Sequence, residues 1–113
     1  MIIAIDYDGV IHDHTHPIPG KRMGAPLEGA REALIKLSKT NDIIIHTVWG
    51  DEDGKKVIAD WMEYYKIPFK EITNKKPKAD CYLDDKAIKH ISWEQSLKDI
   101  RILKMSSFKR VVE

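Results

Sequence analysis

The sequence has little cysteine and no long apolar run. Its 113 residues include one cysteine, Cys81, which excludes an internal disulfide and is typical of a reducing compartment. Cys81 lies in the apolar run ADCYL, which predicts a small buried residue rather than a reactive thiol. The apolar run at residues 2–5 is too short for a signal peptide, and no stretch reaches the ~20 apolar residues of a membrane span. We therefore expect a cytoplasmic protein without a membrane segment.

The chain also lacks an excess of charge of either sign. Its 19 lysines and arginines nearly balance its 18 aspartates and glutamates, for a formal net charge of +1. A charge this small does not by itself attract nucleic acid or a membrane surface, so it gives no support to a nucleic-acid partner. Apolar residues at 42% and charged residues at 33% are typical of globular proteins. We expect a single domain over residues 1–113 that recognises any partner at a local site.

Apolar strands alternate with amphipathic helices along the chain. Short apolar runs predict four strands, at residues 2–6, 42–47, 69–73 and 79–85. Apolar residues at helical spacing predict helices over residues 27–40 and 51–66, and a third helix within residues 90–103. This alternation predicts an α/β fold, namely a Rossmann-like parallel sheet with right-handed crossovers and helices on both faces. The proline and glycine content of residues 10–26 predicts a loop.

The same spacing assigns inward-facing residues to the second helix and apolar residues to the third. Asp51 is expected to cap the second helix, and the residues expected to point inward from it are Val57, Ile58, Trp61, Met62 and Tyr65. The residues expected on the apolar face of the third helix are Trp93, Leu97, Ile100 and Leu103.

Three of the predicted strands end in acidic or hydroxyl side chains. These are Asp6 and Asp8 after the first strand, Thr47 after the second, and Asp84 and Asp85 after the fourth. In parallel sheets, ligands bind outside the carboxyl ends of the strands, and residues two apart on a strand point the same way, ~6.5–7 Å apart. One such end could equally be a cap or a turn, but three ends in one sheet indicate a site. Crowded carboxylates raise one another's pKa or need a cation, and oxygen ligands suit Mg²⁺.

The motifs, in this order, resemble a known family. The chain has four features in this order: DYDGV, an apolar strand ending in threonine, a lysine, and an apolar strand ending in DD. In the order of these four features it resembles the haloacid dehalogenase superfamily of phosphohydrolases. The segment NKKPKADCYLDDKAI is similar to small stand-alone members that lack a large cap domain. The resemblance implies that Asp6 is the nucleophile and that Asp8 is the acid/base, with its backbone carbonyl also on the metal. It implies that Thr47 binds phosphate and that the metal site consists of Asp6, Asp8, Asp84 and Asp85. Which of the last two contacts Mg²⁺ directly stays open.

A phosphate-binding lysine belongs to the same resemblance. Lys75, Lys76 and Lys78 all precede the fourth strand, and the resemblance favours Lys76, which stands just before a proline. The alternative for this cluster is a solvated turn. Related small members often carry arginine after the threonine, where this chain has Val-Trp-Gly. In that segment Trp49 is expected to be a partly buried anchor, and a stacking surface for substrate is the alternative.

The resemblance implies a Mg²⁺-dependent phosphohydrolase (a phosphatase) that cleaves a phosphomonoester through a phospho-aspartate intermediate. Residues 10–26 would form a short flap over an open site, and the phosphorylated substrate would be a small molecule or an exposed phosphate end. The oligomeric state cannot be read from the sequence. The alternative is a non-catalytic regulatory module that binds phosphate or metal, either receiver-like or a degenerate phosphatase. In receiver domains the phosphate-accepting aspartate ends the third strand and the threonine ends a later one, whereas here Thr47 ends the second predicted strand.

Four histidines lie near these motifs. His12, His14 and His16 alternate along the chain and would share one face of an extended segment. Three imidazoles could hold Zn²⁺, but a polar flap that meets substrate or water is the favoured interpretation, and the role of each histidine stays open. His46 precedes Thr47 and is expected to alternate away from the site and to be structural.

Overall fold

Four parallel strands and three helices make up the fold. A computed structural model describes residues 1–21 and 23–112, with side chains up to Met105. The elements are β1 (Ile2–Asp6), α1 (Ala30–Ser38), β2 (Asp42–His46), α2 (Glu52–Tyr64), β3 (Glu71–Thr73), β4 (Cys81–Leu83) and α3 (Trp93–Val112). The strands form one sheet in the order β3-β2-β1-β4, and every neighbouring pair is parallel. The predicted α/β class and parallel sheet are therefore confirmed.

The main hydrophobic cluster lies on one face of the sheet. Ile5 lies beside Ile45 in the register of β1 and β2, and Ile45 lies beside Ile72 of β3. These isoleucines share a face because side chains alternate along a strand. They belong to a buried cluster with residues of the neighbouring strands and of α1 and α2, including Ile3, Ile43, Ala30, Leu34, Ile58, Trp61 and Met62. The two crossover helices therefore cover this face.

The helix ends follow local backbone chemistry. The helix predicted from residue 27 begins only at Ala30, because Gly29 has φ 83° and so lies in the left-handed region outside the helix. The predicted cap of α2 is present, since the Asp51 carboxylate accepts a hydrogen bond from the Gly54 amide at 2.8 Å. Val57, which was expected to point inward, is exposed. The buried residues of α2 are Ile58, Trp61 and Met62, and Val57 lies outside that stripe.

The third helix is not buried as predicted. Trp93 and Leu97 are 72% and 63% exposed, and Ile100 and Leu103 are also exposed. In the described part of the chain, the backbone of α3 does not approach a strand or another helix. The prediction of helices on both faces of the sheet is thus supported on one face only. None of the helices within the described residues is both long enough and apolar enough to cross a membrane.

Residues 10–26 form a loop, as predicted, and hydrogen bonds fix it near both ends; Arg22 lies outside the described residues. The Asp13 amide donates to the Ala25 carbonyl at 3.0 Å, and the indole N–H of Trp61 donates to the Gly24 carbonyl at 3.0 Å. A Cβ atom at Gly24 would overlap the Asp13 carbonyl oxygen, so only glycine permits this approach. The loop is thereby held against α2.

Candidate active site

Three carboxylates meet at the carboxyl edge of the sheet. β1 and β4 are neighbouring parallel strands, and Ile5 lies beside Leu83. The next residue of each chain segment, Asp6 and Asp84, therefore lies at the same end of the sheet. One oxygen each of Asp6, Asp84 and Asp85 lies within 4.8 Å of the others. Asp6 is partly buried, and the other two are exposed. Strands far apart in sequence therefore bring their terminal acids to one point.

The carboxylate group is electrostatically unfavourable when all its members are ionised. Burial raises the pKa of Asp6, and the charges of Asp84 and Asp85 raise it further, while a hydrogen bond from the Tyr7 amide opposes them. Within the described residues, none of the three acids forms an ion pair with a lysine, arginine or histidine. A bound cation would remove this repulsion.

The donor set fits Mg²⁺. All three side chains offer oxygen atoms, which Mg²⁺ prefers, and its octahedral shell at ~2.0–2.1 Å places neighbouring oxygens roughly 3–4 Å apart. One oxygen of each of the three acids already lies within 4.8 Å of the others. The exposure of Asp84 and Asp85 leaves room for the waters that this ion keeps.

Gly9, in the turn after β1, allows Asp85 to approach the backbone closely. Gly9 has φ +85°, and a Cβ atom built there would overlap Asp85 Oδ2. Both the left-handed backbone and the close approach require glycine at this position. The turn after β1 and the turn after β4 therefore pack against each other through Gly9 and Asp85.

Asp8 lies outside the group of three acids. Its Oδ1 atom is 2.7 Å from Nδ1 of His12, and among the described residues it is not part of the carboxylate group. The sequence predicted that Asp6 and Asp8 point the same way, which holds only for an extended chain. β1 ends at Asp6, and the Ile11 and His12 amides both donate to the Tyr7 carbonyl. In this turn the Asp8 carboxylate contacts His12, while its charge still contributes to the raised pKa of Asp6.

Thr47 follows β2 beside the acids. It is buried, 5% exposed, and its amide donates to the Thr73 carbonyl at 3.0 Å. Its hydroxyl accepts a hydrogen bond from the Trp49 amide at 3.3 Å. Trp49 itself is 52% exposed, so it is less buried than an anchoring residue would be. The Thr47 side chain thus occupies a fixed position at the same edge as Asp6.

Lys76 shares a cavity with Asp6. A cavity of about 700 Å³ lies beside the sheet, lined among others by Asp6, His46, Lys76, Tyr82 and Asp84. The Lys76 ammonium lies 4.8 Å from the centre of the Tyr82 ring, a favourable cation–π distance. Lys75 and Lys78 do not line this cavity. Of the three candidate lysines, Lys76 is thus the one that lines the same cavity as Asp6.

His46 was wrongly expected to face away from the site. It lies directly beside Asp6 in the register of β1 and β2, so the two side chains share a face of the sheet and line the same cavity. The sequence alone does not give this register, since alternation along one strand says nothing about the neighbouring strand.

No protein-family model, curated protein or solved structure matches this chain. The resemblance to the haloacid dehalogenase superfamily therefore stays a prediction, and the roles of the site residues rest on that resemblance and on the geometry described above.

The three alternating histidines do not form a metal site in the described residues. His12 is buried, and its two ring nitrogens contact Asp8 and the Gly24 amide. His14 and His16 are exposed, and Nδ1 of His16 lies 3.0 Å from the Asp13 carboxylate. The segment turns instead of running extended, so the shared face that alternation requires does not exist.

Sequence reasoning missed the surroundings of Asp8. His12 binds this acid, and the ring of Tyr7 stacks on His12 at 4.9 Å with an interplanar angle of 11°. Tyr7 is 1% exposed, and burial raises the pKa of its phenol, which keeps it protonated. The four-residue separation of Asp8 and His12, at the start of the predicted loop over residues 10–26, was the available signal for their contact.

Proposed function

We propose that this chain is a Mg²⁺-dependent phosphohydrolase with a capless, Rossmann-like fold of the haloacid dehalogenase type. It would cleave a phosphomonoester through a phospho-aspartate on Asp6. The observation that carries the proposal is the meeting of Asp6, Asp84 and Asp85 at the carboxyl edge of the sheet. In parallel α/β sheets this edge is where ligands bind.

The nucleophile of this reaction is the Asp6 carboxylate. Its oxygen attacks phosphorus, a bond forms between that oxygen and phosphorus, and the ester oxygen leaves with its electron pair. Water then attacks the phosphorus of the acyl phosphate, which restores Asp6 and releases inorganic phosphate. Bound Mg²⁺ would supply charge neutralisation for the phosphate and the acids. Asp6 is the most enclosed of the three carboxylates, which suits a group that must keep a fixed line of attack.

Asp8 is the proposed acid/base that moves the protons. As an acid it donates a proton to the leaving oxygen, and as a base it removes one from the attacking water. Its carboxylate lies outside the group of three acids and is 36% exposed. A carboxylate away from the cation can take up a proton more readily than one bound to it, which supports different roles for Asp6 and Asp8.

Thr47 and Lys76 are the proposed phosphate ligands. The Thr47 hydroxyl is fixed by the turn that follows β2, and Lys76 lines the cavity that contains Asp6. A hydroxyl donor and an ammonium group would bind the equatorial phosphate oxygens, because phosphoryl transfer depends mainly on position and charge neutralisation.

The proposed substrate is a phosphomonoester that reaches an open site, either a small metabolite or an exposed phosphate end. The loop over residues 10–26 connects β1 to α1 and lies against α2. The proposed location is the cytoplasm, in keeping with a single, unpaired Cys81.

Hydrolysis of p-nitrophenyl phosphate with and without Mg²⁺ tests the proposal. Asp6→Asn removes the nucleophile with little change in shape, so turnover should fall by roughly 10³-fold or more while the fold is retained. Asp60→Asn, at an exposed position of α2, is the matched control and should behave as the unchanged chain. Unaltered activity in the Asp6→Asn variant contradicts the nucleophile, and activity without Mg²⁺ contradicts the metal site. Stable phosphorylation without turnover would instead favour a regulatory module.

A further inference from the structure

His12, near the start of the loop over residues 10–26, contacts both the proposed acid/base Asp8 and the far end of the loop at Gly24. Its Nδ1 atom lies 2.7 Å from Asp8 Oδ1, and its Nε2 atom lies 2.8 Å from the amide nitrogen of Gly24. Gly24 in turn accepts the indole N–H of Trp61 through its carbonyl. Three hydrogen bonds, two of them to the backbone of Gly24, therefore connect α2 to Asp8 through His12.

The direction of these bonds follows from the donors. The Gly24 amide can only donate, so Nε2 of His12 must accept and carries no hydrogen. The remaining hydrogen of a neutral imidazole is then on Nδ1, where it is donated to the Asp8 carboxylate. The Gly24 amide thus selects the one tautomer that can donate to Asp8.

The imidazole is held in place on its faces and edges. The ring is 6% exposed. Tyr7 stacks on it in a nearly parallel arrangement, and the Trp61 ring meets it edge-on at 5.5 Å and 85°. A ring enclosed in this way cannot change rotamer without disturbing the core, so its Nδ1–H keeps one direction.

We propose that His12 is a positioning residue for Asp8, an inference that rests on the proposed function above. The bond to Oδ1 fixes the rotation of the carboxylate and leaves Oδ2 to exchange the proton with the leaving group. Proton transfer needs the two heavy atoms within about 2.6–3.2 Å of each other. A carboxylate of a partly exposed residue rotates freely unless a partner holds it, and the buried imidazole is that partner.

Two substitutions separate the two bonds of His12. In His12→Asn, the amide nitrogen takes the place of Nδ1 and can still donate to Asp8, while the bond from Gly24 is lost. In His12→Gln, the amide oxygen takes the place of Nε2 and can still accept from Gly24, while the bond to Asp8 is lost. Each variant loses one buried hydrogen bond, and thermal unfolding of both checks that they fold.

The decisive measurement compares kcat/KM for two substrates with different leaving groups. This ratio reports the phosphorylation of Asp6, in which an alkyl phosphate needs a proton from Asp8 and p-nitrophenyl phosphate, a good leaving group, hardly does. We expect His12→Gln to lose roughly 10- to 100-fold with the alkyl phosphate, part of the ~10²–10⁴-fold that acid–base catalysis contributes, and at most about 3-fold with p-nitrophenyl phosphate. His12→Asn should recover most of the loss with the alkyl substrate.

An equal loss with both substrates would mean that His12 acts through the general structure, and this overturns the inference. So would a His12→Asn variant as impaired as His12→Gln. If the unchanged chain hydrolyses neither substrate, the proposed function fails and the catalytic part of this inference fails with it. The bond itself is tested without activity, by the ¹⁵N chemical shifts of the His12 ring. We expect hydrogen on Nδ1 and none on Nε2, and the opposite tautomer contradicts the inference in any case.

Discussion

At the scale of single residues, the ionised form of Asp6 that the proposed reaction needs is the form that lowers the stability of the fold. Burial raises its pKa, and so do the nearby charges of Asp84 and Asp85, which means that the fold disfavours its ionised form. The stability from an acid with a raised pKa is complete below the pKa of the unfolded chain, here 3.8. It is lost as the pH rises through the folded pKa. At neutral pH without a cation, ionised Asp6 therefore lowers the free energy of unfolding.

Asp6→Asn should consequently stabilise the protein at neutral pH when divalent ions are removed with a chelator. Asparagine keeps the shape of the side chain and removes the charge. The gain should not exceed about 1 kcal/mol, because Asp6 is only partly buried and solvent screens the interaction. Urea unfolding at neutral pH and near pH 4 measures it, and the difference between the two proteins should shrink in the acidic sample.

Added Mg²⁺ provides the control for this prediction. A ligand that binds only the folded state stabilises it, by about 2.7 kcal/mol at a concentration 100 times the Kd. The unchanged chain should gain more from Mg²⁺ than the Asp6→Asn variant. A variant that is less stable than the unchanged chain in the chelated samples would contradict the unfavourable placement of the Asp6 charge.

At the scale of elements, the turns after β1 and β4 together form the proposed metal site. Gly9 and Gly20 both have left-handed backbones, with φ +85° and φ +78°. A Cβ atom at Gly9 would overlap Asp85, whereas one at Gly20 meets nothing within 4 Å. The two glycines therefore share the same backbone requirement but differ in what surrounds them.

Gly9→Ala and Gly20→Ala form a matched pair on this basis. Both should lower the free energy of unfolding by roughly 1–2 kcal/mol through backbone strain. Only Gly9→Ala should displace Asp85 and weaken the binding of Mg²⁺, by roughly 10-fold, as changes next to metal ligands do. Isothermal titration calorimetry with Mg²⁺ measures the difference. Equal Mg²⁺ affinities in the two variants would show that Asp85 is not needed for the site.

Much of the fold could be predicted at this scale because short-range patterns determine it. The run at 2–6 gave the bounds of β1, and Asp51 gave the start of α2. Two features of the site could not be predicted from such patterns. The turn that directs Asp8 toward His12 depends on hydrogen bonds to the Tyr7 carbonyl, and the place of His46 beside Asp6 depends on strand register.

At the scale of the whole molecule, the core is concentrated on one face of the sheet. The side chains of α1 and α2 pack with the isoleucines of that face. The apolar residues of α3 are exposed instead. The spacing of these residues predicts that they lie on one face of a helix. It does not predict whether another part of the chain covers that face. Whether another element covers them depends on where the chain after β4 runs.

The one-sided core predicts an uneven distribution of stability, which two truncations of similar size can test. Ile58 on α2 is 0% exposed and Leu97 on α3 is 63% exposed. Ile58→Ala removes buried methyl groups from a packed core and should lower the free energy of unfolding by about 2–5 kcal/mol. Leu97→Ala removes atoms that already contact water, so its effect should stay below about 0.5 kcal/mol. Urea unfolding measures both, and a comparable loss in the two variants would show that α3 is packed in solution. A loss at Leu97 as large as the loss at Ile58 requires Leu97 to be buried, so this pair tests the exposure of α3 directly.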